Sequence, residues 1–433
     1  MKICSVKDIK AAAAIMAASI LLGGCANASI TGQSLVNDPA IVAEINLNEV
    51  RNTDYDQKLM DREYRRYCFD LLSQTLRDQG GDNNVMISPA SIMMALDMVA
   101  AGAKGESLRQ LTDLFAEGQG PLTQQAYAAA MMEKINEAEK VDFSCANAIW
   151  NNARLLGDKV NMNFVDYIRN TFLAEYNVKD FDNKTPDEIN AWIDEHTNHM
   201  IKKAIDQLDP ETVMVLVNAI AFEAEWQDPY MEDQIVDGLF TKANGEIIEA
   251  TFLNCAVTDY FETDKATGFL KSYEGGQYAF LAILPTDDSI DANEFAKDFT
   301  AEDYEKFIAS VTDKYTVYTK MPEFTSDFEY LVNGTLQNLG ATDVFDPVKA
   351  DLSGISGAPG DIYVSKVIHK THIEVDRKGT KAAAVTVITL EKNAVFEEDV
   401  PEVRYVECDR PFAYAIVDTE TMAPIFIGTV NQV

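Results

Sequence analysis

From Asp61 to Gln79 and again from Ser91 to Phe115, apolar residues return at helical spacing, as in Ile92, Ala95, Leu96 and Val99, and this predicts helices. In "NNVMISPAS" Ser88 is the expected N-cap and Pro89 the first helical residue, where a missing N–H costs nothing. The same period predicts helices at 121–139, 161–173 and 186–206. Short runs rich in Val, Ile, Phe and Tyr at 212–222, 246–263, 278–285, 314–321 and 402–430 predict strands. Helices therefore dominate the first half and strands the second. That order implies an α+β fold with large antiparallel or mixed sheets, and no repeat or low-complexity segment divides it.

Ahead of this body the pattern changes. Lys2, Lys7 and Lys10 precede an apolar run from Ala11 to Leu22 that ends in small residues, which reads as a secretory signal too short to span a bilayer. "LLGGC" resembles the bacterial lipoprotein processing box, in which the cysteine, here Cys25, becomes the lipidated first residue; Gly23 stands where Ala or Ser is commoner. The expected organisation is a signal peptide over 1–24, a flexible polar tether over 25–55 and one domain over 56–433. The implied location is outside the cell, at the outer face of the membrane through the lipid, or secreted.

Charge and titratable residues narrow the chemistry. With 36 Lys+Arg against 70 Asp+Glu, a net charge of −34 repels phosphate backbones, so nucleic acid is excluded as a partner. Apart from Cys4 and Cys25, the cysteines Cys68, Cys145, Cys255 and Cys408 are widely spaced without a CxxC pair. They suggest buried thiols rather than a zinc site or a disulfide scaffold. The four histidines are His196, His199, His369 and His372. His196 and His199, at i and i+3 of a predicted helix, lack a surrounding metal motif, and there is no GxSxG elbow, GxGxxG or phosphate loop. The expectation is a protein that is not an enzyme and uses no metal or cofactor.

Blocks spread along the body resemble the serpin family. They are "NNVMISPASIMMALDMVAAGAKGESLRQL" (83–111), "ANAIW" (146–150), "INAWIDEHTNHMIKKAI" (189–205) with "VLVNAIAFEAEW" (215–226), "FEYLVNGTLQNLGATDVFDPVKADLSGIS" (328–356), "SKVIHKTHIEVDRKGTKAAAVT" (365–386) and "DRPFAYAIV" (409–417). The resemblance spans roughly residues 60–433 and implies three β-sheets surrounded by about eight or nine helices, with an exposed reactive-centre loop at about 377–401. It also implies a monomeric inhibitor of serine proteases that works as a suicide substrate. The alternative is a non-inhibitory serpin acting as a binding protein.

The residues of the loop suit that implied mechanism. In "TKAAAVTVITL" the alternate positions Thr380, Ala382, Ala384, Thr386, Ile388 and Leu390 face one side of a strand, small first and then apolar, while Lys381 falls on the other phase. Such a strand can enter a sheet without burying a charge. The resemblance makes Gly379, Thr380, Ala382, Ala383, Ala384 and Thr386 the hinge. Counting from the hinge glycine places the cut bond at Asn393–Ala394; counting back from "DRPF" would place it near Val400. The hinge count is preferred, because hinge-to-bond length sets the pull on the protease. The 13 residues from Thr380 to Lys392 would span roughly 43 Å as a strand.

Two departures from the family pattern stand out. Gly379 to Pro411 is a long interval of 32 positions with an acidic "EEDVPE", and Arg377, Lys378 and Lys381 occupy places that are usually acidic. Small or uncharged Asn393, Ala394 and Val395 favour elastase-like or subtilisin-like targets over trypsin-like ones.

Overall fold

The computed structural model describes residues 47–433 apart from 157–159, 210 and 381–401. The Ser88 hydroxyl accepts from the Ser91 N–H at 3.2 Å, and Pro89 opens helix α3 (Pro89–Ala100), whose every residue is buried. A helix that is apolar nearly all round belongs at the centre of a fold. Around it lie α1 (Leu47–Arg51), α2 (Gln57–Gln79), α4 (Gly105–Ala116), α5 (Pro121–Asn136), α6 (Ala153–Leu156), α7 (Met162–Phe172) and α8 (Thr185–His196). Helices α9 (Ala292–Asp298), α10 (Ala301–Ala309) and α11 (Asn333–Asn338) follow, making eleven among the described residues, several of only one or two turns.

Three sheets carry the rest. The first runs β11 (Phe324–Leu331), β12 (Lys366–Val375), β13 (Gly379–Thr380), β4 (Met214–Glu225), β2 (Val141–Asn152), β3 (Glu175–Lys179). The second runs β1 (Val85–Ile87), β16 (Pro424–Val430), β15 (Phe412–Asp418), β9 (Tyr278–Pro285), β8 (Ala266–Ser272), β7 (Tyr260–Glu262). The third is β14 (Glu402–Glu407), β10 (Tyr315–Pro322), β6 (Ile247–Val257), β5 (Ile235–Thr241). The core fills the space between α2, α3 and the first two sheets; a second apolar cluster, with Ile189, Ile193 and Trp150, lies under α8.

Four expectations need correction. The chain folds onto the body before residue 56, because Val50 of α1 is fully buried and α1 packs on α5. The helix expected over 186–206 stops at His196, since Asn198 (φ 49°) and His199 (φ 63°) are left-handed and end a right-handed helix. His199 is therefore off the helix. Strands also begin earlier than the first expected run at 212–222, which is β4: β1, β2 and β3 precede it. β2 carries Asn147, Asn151 and Asn152 between apolar residues, and as an inner strand it lacks the clean alternation that reveals strands facing water on one side.

Candidate functional site at the hinge of the 377–401 segment

β12 and β4 run parallel and pair directly at seven positions, from Lys366↔Val215 to His372↔Ala221. Beyond His372 the two strands part. The wedge between them is filled by β13, which pairs antiparallel with both: Thr380 opposes Val375 of β12 and Ala224 of β4, and Gly379 opposes Glu225. The first two residues of the expected loop hinge are thus already strand.

The wedge has a built floor. Thr380 is fully buried, and its hydroxyl shares a 2.8 Å hydrogen bond with the Tyr273 hydroxyl. Tyr273 stacks on Trp226 at 4.6 Å between centroids and 8° between planes. Trp226 in turn donates its backbone N–H to the Lys378 carbonyl (2.8 Å) and its indole N–H to the Asp376 carbonyl (2.9 Å). Tyr230 N–H donates to the Arg377 carbonyl at 2.9 Å. The turn closes on itself, because Asp376 Oδ1 accepts from the N–H groups of Lys378 (2.7 Å) and Gly379 (3.0 Å). Glycine is required at 379: a Cβ there would lie 2.0 Å from the Ala224 carbonyl oxygen and 2.7 Å from Glu225 Cα.

Below the wedge, His369 of β12 and Asn218 of β4 are directly paired and buried. His369 Nε2 accepts the Ser88 N–H at 3.1 Å, while its other ring nitrogen has no partner; burial pushes its pKa down to about 3, so the ring is neutral. Asn218 accepts from the Ser91 hydroxyl and donates to Asn147 Oδ1 at 2.7 Å. The N-terminus of α3 therefore bonds to both strands at the point where they must separate if anything is to enter between them.

The structure distributes the sequence-expected residues as follows. Gly379 and Thr380 sit in the sheet rather than in an exposed loop, a correction to the expected boundary of the loop. Ala382, Ala383, Ala384, Thr386, Asn393 and Ala394 lie outside the described residues, as does Cys25. Of the basic residues at the hinge, Arg377 is compensated, pairing with Glu323 at 3.2 Å and Glu232 at 3.7 Å. Cys68 and Cys408 are buried free thiols and Cys255 is a half-buried one. His196 stacks on Trp192, and His199 and His372 bond to Asp194 and Asp327. Sequence reasoning missed the part that His369, Asn218, Ser88 and Tyr273 play at the seam, although it did give Ser88 its role as N-cap. The first three fall inside the family-like blocks, but nothing local marks Tyr273.

The chain matches the family model described as "Serpin (serine protease inhibitor)" over residues 62–433 and belongs to the serpin family. It is 32% identical over 380 residues to Iripin-5 of Ixodes ricinus, covering 85% of this chain and 93% of that protein. It is 29% identical over 374 residues to leukocyte elastase inhibitor A of Mus musculus, covering 83% and 96%. Among solved structures, the native state of the thermophilic serpin Tengpin superposes with a TM-score of 0.78 at 34% identity, covering 88% of this chain and 96% of that one. The α+β, three-sheet architecture is the serpin fold.

Proposed function

We propose that this serpin inhibits serine proteases as a suicide substrate, and the observation that carries the reading is β13 seated at the open end of the β12–β4 seam. In this reading a protease serine Oγ bonds to the Asn393 carbonyl carbon as the Asn393–Ala394 bond breaks and the proton goes to the Ala394 amine. The freed segment then continues the strand that Gly379 and Thr380 begin. Extending their register places Thr386 between Asn218 and His369, and Ile388 between Leu216 and Val367. A hydroxyl would thus meet the polar pair and an apolar side chain would meet apolar neighbours. Serpin loop insertion is itself a recognised example of strand addition. With net gains of roughly 0.5–1.5 kcal/mol per hydrogen bond, a full strand supplies on the order of 10 kcal/mol.

Incubation with elastase-like and subtilisin-like proteases, followed by denaturing electrophoresis, tests this. A covalent adduct is expected; a clean nick without adduct would identify a non-inhibitory, substrate-like binder, and unaided proteolysis an enzyme. Uncharged Asn393, Ala394 and Val395 support an elastase-like or subtilisin-like target, and the similarity to a protein named leukocyte elastase inhibitor A supports the first. The leader supports export with a lipid on Cys25. Cys25→Ser is expected to leave the membrane fraction with inhibition intact, and equal membrane partition would reject the anchor.

A further inference from the structure

A cleft of about 320 Å³ lies between the start of α2, helix α5 and the turn joining β15 to β16. Its walls are aromatic and its floor aliphatic. Tyr55 and Tyr127 meet edge to face at 6.0 Å, and Met131 and Ile135 of α5 complete the apolar lining. Inside sits the carboxylate of Asp61, a residue 8% exposed. Its Oδ1 accepts from Gln57 Nε2 at 2.8 Å and from the Tyr127 hydroxyl at 3.0 Å. Both donors are neutral.

The cations nearby are committed elsewhere. Lys134 at the rim bonds to Asp418 at 2.6 Å and Glu420 at 2.9 Å, so one ammonium faces three carboxylates in the lining. Arg65, one turn along α2 from Asp61, pairs with Glu305 at 2.5 Å and donates to the Thr421 carbonyl at 2.7 Å. Burying a carboxylate without a counter-charge is costly, and a pocket that does so while offering tyrosine rings is complementary to an organic cation. Residues 26–46, which lead to α1, contain no Lys or Arg. The volume suits a small ligand, at the lower end of the usual range for binding pockets.

We propose that this cleft binds a small primary amine bearing an apolar, ring-sized group, its ammonium on Asp61 between the tyrosines and its apolar part against Met131 and Ile135. The proposal uses none of the hinge residues, so it stands or falls apart from the inhibitory reading.

Isothermal titration of the intact, uncleaved protein with phenethylamine at low salt tests the proposal, with 2-phenylethanol as the uncharged control of the same shape. One-site saturable binding of the amine and none of the alcohol is expected. Binding should weaken by about tenfold or more in Asp61→Asn. Met131→Trp, which enlarges a side chain of the apolar lining and leaves the carboxylate in place, should abolish it and keeps the test decisive if Asp61→Asn fails to fold. Lys134→Gln should bind at least as tightly as the parent. Absence of saturation, equal binding of the alcohol, or amine binding unchanged in Met131→Trp would overturn the proposal.

Discussion

Thr380 and Tyr273, 107 positions apart in the chain, share a buried 2.8 Å hydrogen bond that ties the hinge to the residue following β8. Tyr273 stacks on Trp226, and Trp226 carries the hinge carbonyls of Asp376 and Lys378, so this one contact joins hinge, wedge and second sheet. Replacing Thr380 with Val removes the bond and leaves the Tyr273 hydroxyl buried without a partner, which costs about 1–3 kcal/mol. Replacing it with Arg places an unpaired charge in the wedge, at a cost of several kcal/mol. Thr380→Arg is expected to be cut by target proteases without forming an adduct, and Thr380→Val to fall between it and the parent. Adduct yield equal to the parent in Thr380→Arg would reject insertion through this wedge.

Gly379→Ala tests the seat itself. The new Cβ would collide with backbone atoms of Ala224 and Glu225, which cannot step aside as a flexible side chain would. The hinge is expected to leave the sheet, making the bond after Lys378 a faster site for trypsin in limited proteolysis than in the parent. An unchanged rate of cleavage there would show that the wedge tolerates the methyl group.

The buried His369 gives a pH dependence whose direction follows from its shift. Its pKa is about 3 in the fold against about 6.5 when exposed, so the unfolded chain binds a proton that the folded one refuses. The stability it allows is complete above pH 6.5 and is lost as pH falls toward 3, by up to roughly 1.4 kcal/mol per pH unit. Protonation would also take the acceptor from the Ser88 N–H. Thermal midpoints measured from pH 7 down to 4 should fall more steeply in the parent than in His369→Gln; parallel curves would mean that His369 does not titrate with unfolding.

Asp97 carries the opposite sign. It is fully buried in α3, its Oδ2 has no partner, and burial raises its pKa to about 8 despite a 3.3 Å bond from Gln124. The folded protein keeps the proton that the unfolded chain releases near pH 4, so stability declines as pH rises from that value toward 8. Asp97→Asn removes this penalty and brings an N–H toward Gln124 Oε1, which is also unpartnered. Higher stability is expected in chemical denaturation, by an amount on the order of a few kcal/mol at pH 8 and much less at pH 4.5. A variant less stable than the parent at pH 8 would contradict it.

These residues also show what could be read without the structure. The capped start of α3 was legible because Ser88-Pro89 is a local signal, and the α+β class was legible from the two periods. β13 was not, because two residues make no pattern, and the same stretch read as loop turns out to be sheet. Asp97 was not singled out either, because the period marks a helix but does not show that α3 has no solvent face on which to place a carboxylate. Tyr273 acquires its role only from a residue 107 positions away, and the amine-sized cleft from three separate elements. The compensation of Arg377 by Glu323 likewise needs strands that are distant in sequence.

A cut within 385–396 is the sharpest test of the insertion reading. In the intact protein β12 and β4 are zipped from Lys366↔Val215 to His372↔Ala221, and among the described residues Gly379 and Thr380 occupy the opening. Further entry must first break those seven pairs and the contacts of Ser88 and Ser91 with His369 and Asn218. In the insertion reading that opening is a barrier while both ends of the loop are anchored, and the intact state persists kinetically. A cut releases one end, so the segment after Thr380 can replace each broken pair with two new ones, one to each flanking strand, and bury Ile388 and Leu390. Nicking ordinarily lowers stability by freeing chain entropy. Here the cut protein is expected to unfold at a clearly higher temperature than the intact one, with the seam parted and His369 no longer opposite Asn218. A thermal scan before and after limited proteolysis decides the matter: a midpoint unchanged or lowered by the cut would mean that the loop stays outside, and would favour a serpin that binds without trapping.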